Sequence, residues 1–263
     1  GMKAVHRVLD PGNREQIRAG LCALAVMTKA PQAGKVKTRL TPPLSSEEAA
    51  ALNACFLRDT AAAIVKTAEN GSARGIAVYT PVGAEAAYAE ILPEEFELVP
   101  QRGGAFGERL VFATEDLLQL GFDSLCLIDS DSPTVPQQAF ADAVELLSQP
   151  SDSLVLGPSD DGGYYLIGLK KLHRQLFEDI DWSTERVLEQ TIERAREIDL
   201  PVHLLPTWYD VDDRATLNRL CQEFFGANGS ARTGHPASAT RQFLHELLQR
   251  EGRQRIWPEE SQP

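Results

Sequence analysis

Leu125-Cys126-Leu127-Ile128-Asp129-Ser130-Asp131-Ser132-Pro133 decides the reading of this chain, because an apolar run gives way to two carboxylates one residue apart. The run reads as a buried strand, and open α/β sheets bind their ligands just outside the carboxyl ends of such strands. Alternate residues of an extended chain share a face, so Asp129 and Asp131 project together if the strand continues through them. Two close carboxylates repel each other unless a cation or proton lies between them, and a hard divalent ion suits that place. The competing reading is a turn and helix start, since Asp and Ser cap helices and Pro suits the first turn.

In both directions from this stretch, strand and helix signals alternate. Residues 21–28 are apolar almost without interruption and read as a second buried strand. Ser45, with Glu48 three residues on, opens a long helix reaching about residue 68. Further strands are expected at 75–79, 97–100, 153–156, 164–169 and 202–205, and helices at 84–91, 106–120, 136–147, 184–197 and 212–225. The alternation predicts a single α/β domain: a Rossmann-like α/β/α sandwich with a mostly parallel central sheet. Residues 1–20 read as an N-terminal extension and 21–225 as the domain. The small, polar stretch 226–239 reads as a linker, and 240–263 as a helix with a frayed tail. That last helix is expected to dock on the domain or on a second copy, which puts a homodimer among the expected assemblies.

A chain of 263 residues can bury one sizeable core, and none of its apolar runs approaches the roughly 18 residues that span a bilayer. With 38 acidic against 26 basic residues, its net charge of -12 repels nucleic-acid polymers and anionic membranes. Any phosphate-bearing ligand therefore needs a local basic site or a metal. Cys22, Cys55, Cys126 and Cys221 are scattered, with no C-x-x-C pair and no histidine at ligand spacing, which predicts reduced thiols in a cytoplasmic protein and argues against zinc. The start of the chain has no signal-peptide apolar core, and the dispersed histidines indicate no hydrolytic triad.

Basic residues concentrate where the first strand ends: Lys29, Lys35, Lys37 and Arg39 fall within eleven positions. A P-loop is excluded, since Lys29 stands at its leading glycine and Val36 where a Mg²⁺-binding Ser or Thr belongs. Such a loop can still grip a diphosphate, each contact at about 4 Å and a dielectric near 20 being worth about 4 kcal/mol before desolvation. A solvated basic turn is the plain alternative. After another expected strand, Arg102, Gly103 and Arg109 offer cations and close backbone approach to a ligand. The segment Asp160-Asp161-Gly162-Gly163-Tyr164-Tyr165 joins carboxylates, a tight turn and flat aromatic surfaces, although Asp-Gly alone also marks a hairpin. Asp210, Asp212 and Asp213 repeat the acidic spacing before a helix that one of them is expected to cap.

In this order, residues 29–40, 101–110, 128–133 with 157–168, and 208–217 resemble the nucleotide-diphospho-sugar transferase superfamily with the GT-A fold. The resemblance is to its bacterial glycosyltransferase A-type branch, related to phospholactate and molybdopterin guanylyltransferases. It implies a Mg²⁺ or Mn²⁺ cofactor on Asp131 and Asp212, with Asp129 and Asp210 as further candidate ligands. It also implies catalytic roles for Asp131, Asp160 and Asp161, and a nucleotide held by Lys29, Lys35, Lys37, Arg39, Arg102, Gly103 and Arg109. The acceptor is expected near Gly162, Gly163, Tyr164 and Trp182. The chain departs from the superfamily's nucleotidyltransferases in lacking their Gly-Gly pair after the first strand. The leading expectation is glycosyl transfer from a nucleotide sugar to a small-molecule acceptor. The alternatives are nucleotidyl transfer from a nucleoside triphosphate, with pyrophosphate release, and a non-catalytic nucleotide-binding module.

Overall fold

The computed structural model describes residues 6–13, 17–227 and 234–259. The apolar runs form strands: β1 (Cys22–Lys29), β2 (Ala73–Thr80), β3 (Glu97–Pro100), β4 (Ser124–Ile128), β5 (Leu154–Pro158), β6 (Tyr164–Leu169) and β7 (Val202–Leu204). They make one sheet in the order β3-β2-β1-β4-β6-β5-β7. β6 is antiparallel to β4 and β5, and every other pairing is parallel. All the parallel strands thus end on one edge of the sheet, where β6 begins.

Helices α1 (Ser46–Ala68), α2 (Phe106–Leu120) and α3 (Gln137–Leu147) fill the crossovers expected between parallel strands, α4 (Val187–Glu197) joins β6 to β7, and α5 (Arg214–Phe225) follows β7. Leu57 and Ile64 of α1 pack with Phe140 and Leu147 of α3 against one face of the sheet. Leu110 and Leu117 of α2 and Ala195 of α4 cover the other. With both faces covered, every residue of β4 and β5 is buried, which is why those strands read as unbroken apolar runs rather than alternating ones. The expected capping box closes the start of α1: Glu48 N donates to Ser45 Oγ at 3.1 Å, and Ser45 N donates to Glu48 Oε1 at 2.8 Å.

Three elements differ from expectation. The helix expected at 84–91 is only a 3₁₀ turn, Glu85–Tyr88, because Pro81 and Pro93 bracket a segment whose Tyr88 and Leu92 are drawn into the core. The helix expected from 184 starts at Val187, since Thr184 Oγ1 donates to Asp181 O at 2.6 Å and closes a turn first. Residues 252–259 are packed rather than frayed: α6 (Ser238–Glu251) is followed by α7 (Arg253–Ile256), with Ile256 and Trp257 buried beside Leu52 and Leu220. Arg255 pairs there with Glu48 of the α1 capping box. The expected extension, linker and tail lie in part outside the described residues, at 1–5, 14–16, 228–233 and 260–263. No helix among the described residues is long and apolar enough to cross a membrane.

Candidate active site

The loops after β1, β4, β5 and β7 converge at the carboxyl edge of the sheet around a cleft of about 700 Å³. Asp129, Asp131, Asp160, Asp161, Gly163, Tyr164, Trp182, Asp210, Asp212 and Arg39 all line it.

Backbone pairing holds the acidic loops in register. Asp129 N donates to Tyr165 O at 3.0 Å, so the chain still follows β6 at the first carboxylate, and Val211 N donates to Asp131 O at 2.7 Å. The loop after β5 is tied to the segment after β7 through Asp160 N to Trp208 O at 2.9 Å. Asp210 joins the three loops with its side chain: Oδ1 accepts from Ser132 Oγ at 2.6 Å and from Ser159 Oγ at 3.2 Å. Neither serine's contact with Asp210 was legible in the sequence, because each forms only through the fold.

The crowding of carboxylates shifts their protonation. Burial, then the charges of Asp210 and Asp131, push the Asp129 carboxyl well above its ordinary value. Burial, reinforced by Asp131 and Asp161 against the Ser132 hydrogen bond, raises Asp210 to about 6. Burial raises Asp212 as well, while Asp213 is lowered by the Thr216 backbone N–H that it caps at 2.9 Å. Both line the cleft, but Asp213 is the cap of α5 and Asp212 is not committed to a cap.

The cations of the basic loop divide their tasks. Lys37 takes a left-handed backbone, φ 52°, and turns inward. Its ammonium pairs with Asp131 and donates to Val211 O at 2.9 Å, and its side chain is only 8% exposed. Arg39 stands at the mouth, 69% exposed, 3.6 Å from Asp212 and 3.4 Å from Asp213. Lys29 donates to Lys35 O at 3.1 Å within the loop, and Lys35 is exposed.

The second expected basic group does not line the cleft. Arg102 is held by Asp116 at 2.6 Å and rests on the Phe112 ring, Gly103 supplies a turn at φ +97°, and Arg109 leans on Phe106 and donates to Gln101 Oε1 at 3.4 Å. Asp160, although at the rim, is paired with Arg219 at 2.5 Å. Asp161 accepts from Gly163 N at 2.9 Å and shapes the turn, where Gly162 at φ +94° is obligatory: a Cβ there would lie 2.1 Å from Glu185 O.

Among the described residues no group of three or more His, Cys, Asp or Glu side chains is arranged to hold a metal ion. Mg²⁺ usually takes only one or two protein carboxylates and completes its shell with water and substrate phosphate, so the donor set is the better criterion. That set consists of oxygen donors, carries an excess of negative charge, and is reachable, with Asp131 39% and Asp212 37% exposed. It fits a hard divalent cation and suits a soft one poorly.

A family model described as an uncharacterized protein conserved in bacteria, DUF2064, matches residues 63–184. No curated protein matches the chain. Among solved structures, a provisionally described nucleotide-diphospho-sugar transferase from Desulfovibrio desulfuricans G20 is 30% identical over 89% of this chain and 99% of its own, with a TM-score of 0.74. CMP:2-keto-3-deoxy-manno-octonic acid synthetase complexed with CTP is 10% identical over 76% of this chain and 96% of its own, TM-score 0.49. Rv0371c from Mycobacterium tuberculosis H37Rv is 15% identical over 78% and 98%, TM-score 0.46. On the Desulfovibrio match, which runs through nearly the whole of both chains, and on its mostly parallel, GT-A type sheet, this chain belongs to the nucleotide-diphospho-sugar transferase superfamily.

Proposed function

We propose that the protein transfers a glycosyl group from a nucleotide-diphosphate sugar to a hydroxyl of a small acceptor, with Mg²⁺ or Mn²⁺ bound by Asp131 and Asp212. One observation carries the reading: among the described residues, every charged side chain lining the cleft is a carboxylate except Arg39. Such a field draws in a divalent cation and, through it, one diphosphate. It is poorly suited to nucleotidyl transfer, where a triphosphate and a second phosphorylated reactant would have to share a single guanidinium.

In this reading Arg39 leaves the exposed Asp212–Asp213 edge and forks onto the diphosphate. Lys37 keeps the charge of Asp131 compensated from behind. The acceptor oxygen forms a bond to the anomeric carbon while the bond from that carbon to the diphosphate breaks. The bonding pair departs with the nucleoside diphosphate, and the hydroxyl proton passes to Asp161, the exposed carboxylate of the Asp-Gly-Gly turn. A bound divalent ion would supply charge neutralisation at the departing diphosphate. All four cysteines are free and buried, which suits a reducing compartment such as the cytoplasm.

The nucleotidyl alternative draws on the exposed Lys35 beyond the cleft. Identifying the released product separates the two. Incubation with Mn²⁺, nucleotide sugars and candidate acceptors is expected to release nucleoside diphosphate, and pyrophosphate release from a nucleoside triphosphate would overturn the glycosyl reading.

A further inference from the structure

Helix α5, whose cap Asp213 stands in the cleft, turns a second polar face outward, and the chemistry of that face is the reverse of the cleft's. Ala215, Asn218, Arg219 and Gln222 recur at i, i+3, i+4 and i+7, so they share the side of the helix opposite the buried Leu217, Leu220 and Cys221. Arg253 at the start of α7 and Trp257 just after it close the other side, leaving a groove of about 410 Å³. Among the described residues its polar lining consists of two guanidinium groups, Arg219 and Arg253, and two carboxamides, Asn218 and Gln222, with no carboxylate. In a chain of net charge -12, such a patch runs against the average field.

Both guanidinium groups are held by aromatic planes. Arg219 lies 4.0 Å over the centre of the Tyr209 ring, and Arg253 lies 3.8 Å over Trp257 and donates through Nε to Trp257 O at 2.9 Å. Stacking fixes each plane in advance, so less freedom is lost when its donors take up a ligand. Their acidic partners stand outside the groove. Asp160, 44% exposed at the cleft rim, takes Nη1 of Arg219, and Glu259, 71% exposed, lies 3.8 Å from Nη1 of Arg253. Exposed pairs of this kind contribute little and yield readily to a more strongly charged ligand. Neither Nη2 has a partner among the described residues.

We propose that this groove binds a phosphate monoester. The dianionic phosphoryl group lies between Arg219 and Arg253, whose forked donors match its oxygens, and the polar remainder of the molecule meets Asn218 and Gln222, which both donate and accept. A single carboxylate would answer only one of the two cations, and the groove has room beyond a bare phosphate ion. The site is separate from the acidic cleft and does not depend on the glycosyl-transfer reading.

The test titrates the full chain, in metal-free buffer so that no divalent cation carries phosphate into the cleft, with glycerol 3-phosphate, inorganic phosphate and succinate at constant ionic strength. Binding is followed by calorimetry and by ¹H–¹⁵N NMR of the α5 amides and the Trp257 indole. The expected result is saturable binding of glycerol 3-phosphate, tighter than that of the other two anions, with shifts centred on residues 215–222 and 253–258. The affinity is expected to fall about tenfold in both Arg253→Gln and Asn218→Asp. Asn218→Asp is nearly isosteric and places a carboxylate in the groove, so it keeps the test decisive if Arg253→Gln loosens the turn around Trp257. No saturable binding, a succinate affinity equal to that of the ester, or binding that survives both substitutions would overturn the proposal. Binding lost in Arg39→Gln instead would place the anion at the cleft mouth and overturn it as well. Inorganic phosphate bound as tightly as glycerol 3-phosphate would overturn the ester as the occupant.

Discussion

At the scale of single residues, the acids were legible and their partners were not. Asp129, Asp131 and Asp210 follow apolar runs and were bound to reach the sheet edge, whereas the claims of Asp116 on Arg102 and of Arg219 on Asp160 depend on packing between distant segments. Lys37 was legible as a cation but not as an inward one, because its direction follows from a left-handed backbone at a non-glycine position. Replacing it with Met leaves Asp131 beside Asp129 without its ammonium. Discounted for the partial exposure of Asp131, the loss is expected to be about 1–2 kcal/mol in urea unfolding at pH 7.5 without divalent cation, and smaller with Mn²⁺ present. A loss unchanged by Mn²⁺ would separate Lys37 from the acid cluster. Asp210 gives a pH dependence of definite sign. Its folded value of about 6 exceeds the ordinary 3.8, so the native state holds a proton that the unfolded chain has released. Stability without a cation therefore falls as pH rises from about 4 to 6, and the penalty is complete above that window. Asp210→Asn keeps an oxygen for Ser132 and Ser159. It is expected to exceed wild type by on the order of 2 kcal/mol at pH 7.5 and to converge with it near pH 4. An equal difference at both pH values would contradict the assignment.

At the scale of elements, the strands and most helices could be placed from periodicity, and the errors fell where a contact from elsewhere sets the boundary. The C-terminal helix α6 is the clearest case. Its own N-cap residue, Ala237, has no side chain to offer, and the cap comes from α1. Asp59 accepts from Ala239 N at 3.0 Å and from Thr240 N at 2.8 Å. No local pattern reveals a cap so far away in sequence. Asp59→Ala is expected to cost about 1–2 kcal/mol, with the amides of α6 losing hydrogen-exchange protection before those of the sheet. Uniform loss of protection would mean that α6 opens only with the whole domain. The same dependence on neighbours explains α4: Leu188 N donates to Gly162 O at 2.8 Å, so the Asp-Gly-Gly turn fixes where that helix can begin.

At the scale of the whole molecule, the α/β class followed from the alternation of elements, while the strand order did not. The Asp-Gly hairpin signal at 161–162 marks β6 as running back along β5, but nothing in the sequence of 164–169 marks its insertion between β4 and β5, since that pairing is decided by long-range packing. That insertion makes the site. It brings Tyr164 and the Asp-Gly-Gly turn to the edge where β4 delivers Asp129 and Asp131, beside Asp210 from the β7 side. The central claim is that this assembled acid edge binds a nucleotide through a divalent cation. Its most direct test is calorimetric titration of a panel of nucleoside diphosphates into the wild type and Asp131→Asn, each with and without Mn²⁺. The account predicts saturable binding in the wild type only with Mn²⁺, and its loss in Asp131→Asn while that variant keeps a folded circular-dichroism spectrum. Nucleotide binding equally tight without the metal, or unaffected by Asp131→Asn, would contradict it.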